Sequence, residues 1–307
     1  MHREPKKHIR NLLAEYKRLI VLGDFGRAST YKFCSEFVAA EQKVIQKLIG
    51  ENQFYDEYRK TIITVISNSP YIKKDKISEY FDQHKPLDDK ILIGFPEGIT
   101  IEEVIPKFSM LLARVLQNYS RKDVQDTIIA LPCNTLSPLM WQLEQLFQSK
   151  NQLQRVLDKK DQSVHVRQFM KILPHINISF YSVAEAVIDH VQKMGFKFVL
   201  PLGTCKIFNI YKDAAERSQS EVEVIKMDAH LHELILKAIV YSVSDSKEIL
   251  SLIIEEIRDE LEKVYREYKD PAIIEACTDL SMGIGAQSST IYANYLINII
   301  YNTNNSK

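Results

Sequence analysis

Two stretches decide how this chain reads: Thr127-Ile128-Ile129-Ala130-Leu131-Pro132-Cys133-Asn134-Thr135 and Ala272-Ile273-Ile274-Glu275-Ala276-Cys277-Thr278-Asp279. Each is a short, mostly apolar run that reads as a buried strand, and each stops at a cysteine followed by small polar residues. The cysteines stand 144 residues apart (277 minus 133), close to half of the 307-residue chain. Upstream of each lies a comparable strand that closes on glycine: Arg18 to Leu22 before Gly23-Asp24-Phe25-Gly26, and Phe196 to Leu202 before Gly203-Thr204-Cys205. The chain therefore reads as two related halves, each delivering one thiol.

Further strands are expected at Ile62–Ile66, which closes on Ser67-Asn68-Ser69-Pro70, at Ile91–Gly94, and as an amphipathic run at Glu221–Met227. Ile176–Phe180 reads as the start of a second series. Helical spacing is expected over 7–17, from a cap at Ser29 or Thr30 to Gly50, and over 75–83, 101–118, 183–194, 229–241, 246–267 and 286–301. Strands alternating with helices of ten or more residues predict an α/β fold with parallel sheets, whose sites form at the carboxyl ends of the strands. The polar stretch over 148–171 reads as an extended helix or a mobile insertion.

Composition narrows the function. Lys and Arg number 40 against 40 Asp and Glu, so the chain lacks the basic excess that binding nucleic acid or an anionic membrane requires. Apolar residues at 45% and charged residues at 26% are globular values. Four cysteines in a chain this long do not make a disulfide scaffold, and no pair has metal-ligand spacing. His230 and His232, two apart on an expected helix, diverge too far to share a metal. No run is long and apolar enough to span a membrane, and the opening residues lack the apolar segment of a secretory signal. The expectation is a cytoplasmic protein with reduced thiols. Glycine is scarce, 9 residues or about 3% against an average of about 7%. Six of the nine fall in three close pairs, at 23/26, 94/98 and 283/285, and Gly203 closes another expected strand.

Two readings of the thiol pair stand side by side. Cysteine is among the most buried residue types, so each thiol can be a core residue. Alternatively, inverting a carbon centre by proton transfer needs a base on one face and an acid on the other, and a thiolate–thiol pair supplies both. A helix N-terminus favours the thiolate, and adjacent hydroxyls, amides and backbone N–H groups can hold a carboxylate.

On these loops the chain resembles the aspartate/glutamate racemase family of cofactor-independent enzymes. Pro132-Cys133-Asn134-Thr135 resembles the family's first signature and Ala276-Cys277-Thr278-Asp279 its second. Gly23 through Thr30 is similar to the N-terminal Gly-rich loop, and Leu202-Gly203-Thr204 to the loop of the second half. The acidic Asp279 is closer to the aspartate branch. The chain departs from the pattern at Asp24, Arg27, Leu136, Ser137 and Ile207, and Lys73 or Lys74 stands nearest to an expected arginine.

The resemblance implies two pseudo-symmetric Rossmann-like domains with the active site in the cleft between them. One would comprise 1–137 with 283–307, the other 138–282 with an insertion at about 148–171. It implies Cys133 and Cys277 as the acid/base pair and Asn134, Thr135, Thr204 and Thr278 as substrate-binding residues. Gly23, Asp24, Arg27, Asn68 and Asp279 would complete the pocket, with no metal and no cofactor. The substrate would be a small amino acid or carboxylate, and a homodimer is compatible with the family. The alternative is a non-catalytic relative that binds a small carboxylate or, through 148–171, a protein partner.

Overall fold

The computed structural model describes residues 17–23, 27–49, 61–67, 101–116, 126–160, 164–204, 206–243, 247–277, 280 and 282–301. Two four-stranded parallel sheets organise them. The first has the order β2-β1-β3-β4, from β1 (Lys17–Gly23), β2 (Thr61–Ser67), β3 (Asp126–Leu131) and β4 (Asn177–Ser182). The second repeats that order as β6-β5-β7-β8, from β5 (Phe198–Leu202), β6 (Glu223–Val224), β7 (Ala272–Glu275) and β8 (Ala286–Gln287). In each sheet the two central strands are the ones that lead into the glycine loop and the cysteine.

Ten helices cover the sheets among the described residues: α1 (Arg27–Ile49), α2 (Ile101–Leu116), α3 (Ser137–Gln148), α4 (Lys150–Lys160), α5 (Val164–Ile172), α6 (Val183–Lys193), α7 (Ile207–Arg217), α8 (Ala229–Val243), α9 (Lys247–Glu267) and α10 (Ser288–Tyr301). The strands β1, β3 and β5 are apolar on both faces, and the two-residue period divides each between two cores. Leu19 and Val21 of β1 join Val199 of β5 and Ile274 of β7 in one cluster with α1, α6, α7 and α10. Ile20 and Leu22 face outward to α2, α3, α4 and α5. Leu200, Leu202 and Ile273 face α8 and α9. The shared cluster takes one face of each sheet, so the two units share a core.

The closing helix α10 lies on α1 and α6, with the rings of Phe33 and Tyr292 5.2 Å apart. Tyr292 accepts the N–H of Leu131 at 3.3 Å and donates to the carbonyl of Tyr181 at 2.5 Å, bridging the ends of β3 and β4.

Four expectations are corrected or narrowed. The strand at 177–182, read as the start of a second series, pairs with β3 residue for residue from Asp126↔Asn177 to Leu131↔Ser182 and completes the first sheet. The polar stretch over 148–171, read as an extended helix or a mobile insertion, is helical but broken in two: it forms α4 and α5, whose Leu153, Leu157, Val166 and Phe169 are buried against the outer core that includes Phe108 and Leu112 of α2. Ser29 and Thr30 do not cap α1, which already begins at Arg27. The amphipathic run at 221–227 contributes only two paired strand residues. The helices expected at 7–17 and 75–83 and the strand at 91–94 lie outside the described residues, apart from Lys17, which opens β1.

Candidate active site

Cys133 lies just past the carboxyl end of β3. Pro132 has no N–H to extend the ladder, and the Cys133 N–H turns back to the Leu131 carbonyl at 2.8 Å. The Cys133 backbone is extended (φ −140°, ψ 115°), and a 3₁₀ turn over Asn134–Leu136 then leads into α3. The thiol is half-buried and its sulfur lies 3.2 Å from Thr135 Oγ1, within hydrogen-bond reach. It packs against the outer core of the first sheet.

Asn134 is 2% exposed, and its amide is engaged at both ends. Nδ2 donates to Ser288 Oγ at 2.9 Å, and Oδ1 accepts from the Tyr211 hydroxyl at 2.8 Å. Burial pushes the Tyr211 phenol far above its ordinary range, which keeps it a donor. Tyr211 sits on α7, the helix after the Gly203 loop, and Ser288 opens α10 beyond the second cysteine loop. One asparagine thus joins three of the segments that the sequence singles out.

Cys277 follows β7. The Ala276 N–H donates to the Leu202 carbonyl at 2.9 Å, which sets the cysteine beside the end of β5, and the Cys277 carbonyl accepts from Leu280 N at 3.0 Å. Its thiol is half-buried against the outer core of the second sheet. The two thiol loops are not equivalent. A helical segment follows Cys133 at once, whereas the described residues between Cys277 and α10 form bends and the two-residue β8.

Thr204 lies in the loop after β5, is 3% exposed, and its Oγ1 has no hydrogen-bond partner among the described residues. A buried hydroxyl left without a partner costs about 1–3 kcal/mol, so it is suited to meeting a ligand. Gly23 lies at the end of β1 beside β3. A Cβ there would come within 2.9 Å of the Thr30 methyl and 3.0 Å of Val65 Cγ1, so packing alone accounts for this glycine. At Gly203 a Cβ would lie 3.4 Å or more from Ile207, an ordinary contact. Asp24, Asn68, Thr278, Asp279, Cys205, Lys73, Lys74 and the Arg27 side chain lie outside the described residues.

Tyr211 and Ser288 were missed by sequence reasoning, as was Glu275. The signal for Glu275 was a lone carboxylate inside an apolar strand, which burial makes unusual. Other groups are accounted for locally. Cys34 packs partly buried against the shared core, and burial raises its thiol. Lys237 pairs with Glu233 at 2.7 Å, and His230 lies 3.7 Å from Glu260. Among the described residues no cluster of three metal-ligating side chains occurs, and no helix is long and apolar enough to cross a membrane. A groove of about 600 Å³ runs beside the edge strand β4, between Phe147, Leu173, Ile178 and Phe180, and none of the candidate site residues lines it.

No family model and no curated protein matches the sequence. Solved structures do. An Asp/Glu racemase assignment from Yersinia pestis aligns over 93% of this chain and 99% of its own, with a TM-score of 0.51 and 11% identity. An aspartate racemase homologue from Pyrococcus horikoshii OT3 aligns over 92% and 98%, with a TM-score of 0.49 and 19% identity. The aspartate racemase of Picrophilus torridus aligns over 94% of both chains, with a TM-score of 0.48 and 13% identity. At these identities the likeness is one of fold, and with the Yersinia structure it spans nearly the whole of both chains. The resemblance first read from the cysteine loops agrees with it.

Proposed function

We propose that the chain is a cofactor-independent amino-acid racemase or a close isomerase, acting on an acidic or other small amino acid, with Cys133 and Cys277 as its acid/base pair. The observation that carries this reading is the repeated strand order, which sets one cysteine after a central strand of each sheet, in a fold shared with an assigned Asp/Glu racemase. In the proposed reaction the thiolate of one cysteine takes the proton from Cα. The thiol of the other then delivers a proton to the opposite face, so the two sulfurs exchange protonation states and the carbon is inverted. The first-turn N–H groups after Cys133 and the Thr135 hydroxyl would favour the anionic form of that sulfur. Thr204 Oγ1 would meet the substrate carboxylate or amino group, with Thr135 and Thr278 beside it. Gly23, Asp24, Arg27, Asn68 and Asp279 would shape the side-chain pocket.

One observation favours the second reading, a binding protein built on the same fold. The Asn134 side chain, which the resemblance assigns to substrate, is occupied by Tyr211 and Ser288. In the racemase reading Asn134 therefore supports the loop rather than binding substrate through its amide. The test incubates the protein with both enantiomers of aspartate, glutamate and neutral amino acids and follows loss of optical rotation. Racemisation of any of them upholds the enzyme. Saturable binding of an amino acid or dicarboxylate without racemisation supports the binding protein instead.

A further inference from the structure

The strand before Cys277 buries an acid. Glu275 is 0% exposed, and its carboxylate accepts from Met282 N at 3.2 Å, Ile284 N at 2.8 Å and Gly285 N at 3.3 Å, and from Gln287 Nε2. All four donors lie on the segment that returns from the cysteine loop. Burying a carboxylate is costly unless several charge-assisted hydrogen bonds satisfy it, and this loop is built to supply them. Gly283 adopts φ +66°, a conformation side-chain residues rarely take, and a Cβ at Gly285 would meet the Ile273 carbonyl oxygen at 2.6 Å. The two glycines thus let the backbone fold inward onto the acid. Gln287 carries the connection further: its Oε1 accepts from Lys32 Nζ at 2.6 Å, and Lys32 belongs to α1 of the first unit.

We infer that Glu275 is the positioning residue of the second thiol loop, and that the line Glu275–Gln287–Lys32 fixes that loop to the unit carrying Cys133. Cys277 is held from both sides. Ala276 bonds back to β5, and the chain after Leu280 is drawn onto the carboxylate two residues before the thiol. The inference deepens the two-thiol reading and rests on it for its catalytic consequence, but its structural content is tested separately.

The experiment measures the rate at which iodoacetamide alkylates each cysteine, resolved by mass spectrometry, in the wild type, Glu275→Gln and Lys32→Met. Amide isosterism keeps the volume but sets an N–H donor against backbone N–H donors. Freed from its anchor, Cys277 should react faster by about tenfold or more, since local opening governs access, while Cys133 and Cys34 stay within about twofold. Lys32→Met should shift Cys277 in the same direction by a smaller factor. It leaves the carboxylate and its backbone donors in place and so tests the Gln287–Lys32 tie alone; if Glu275→Gln does not fold, Gln287→Leu, which removes one donor to the carboxylate together with that tie, tests the grip on Cys277. In the same preparations racemisation should fall on the order of a hundredfold, as loss of near-attack geometry predicts. Equal changes at Cys34, Cys133 and Cys277, or none at Cys277 in the folded variants, would overturn the inference. A selective change at Cys277 in a protein that racemises nothing would uphold the positioning role and remove the racemase reading.

Discussion

Asn134 shows how much a single buried amide can fix. Tyr211→Phe removes only an oxygen, yet it strands Asn134 Oδ1 at a buried site, and such a loss costs about 1–3 kcal/mol in urea unfolding. The same phenol gives a pH dependence with a definite sign. Burial raises Tyr211 and Tyr292 in the folded state, so the unfolded chain ionises first as pH passes the ordinary phenol value of about 10. Their contribution to stability is complete below that value and is lost as pH climbs beyond it. Tyrosinate absorbance of these two phenols should therefore appear only with unfolding, and a reversible titration of every tyrosine in the folded protein would contradict this. Glycine gives a second contrast. Gly285→Ala forces a Cβ against the Ile273 carbonyl and should lower stability by about 1–3 kcal/mol, whereas Gly203→Ala should be near neutral. The cysteine loops were legible in sequence because strand, thiol and small polar residues are contiguous. The grip of Glu275 was not, since its donors come from residues 282–287, which only the folded loop brings back.

At the scale of elements, α4 and α5 carry the clearest lesson. Their composition is polar, and polarity dominated the sequence reading, but Leu153 with Leu157 and Val166 with Phe169 are spaced four and three residues apart on one face each. Two short helices with two anchors apiece look like solvated chain until the outer core is present to receive them. Phe169→Ala should cost about 3–5 kcal/mol in chemical denaturation, against about 0.5 kcal/mol or less for the exposed Gln168→Ala. Comparable small effects for both would restore the insertion reading. The misplacement of β4 has a different cause. As an edge strand β4 is only partly buried, with Phe180 and Ser182 covered and Asn177 exposed, and nothing in its own alternation marks which sheet it joins, which its register with β3 decides. Helix starts differ: Ser182 caps α6, its Oγ accepting Glu185 N at 3.2 Å and donating to Glu185 Oε2 at 2.8 Å, from a Ser-x-x-Glu pattern visible in the sequence.

For the whole molecule, the division into two related α/β halves was legible because a strand–glycine and a strand–cysteine pair recur in each half, while the strand order and the shared core between the sheets were not, since no local pattern encodes them. The lone tryptophan reports on that arrangement. Arg217 at the end of α7 bonds Glu144 at 3.1 Å and Glu185 at 2.9 Å and lies 5.0 Å over the Trp141 ring. These groups are about a third exposed, so Arg217→Ala should cost no more than about 1 kcal/mol, but it should shift Trp141 emission. The central claim is that two thiols serve opposite faces of one carbon, and Cα deuterium incorporation in D2O from each enantiomer, with Cys133→Ser and Cys277→Ser, tests it most directly. The account predicts that the wild type incorporates deuterium with inversion from both enantiomers. Each single variant should lose inversion, and any exchange it keeps should come from one enantiomer only, the opposite one in the two variants. A folded wild-type protein that exchanges no amino acid, or a single variant that still inverts at the wild-type rate, would contradict it.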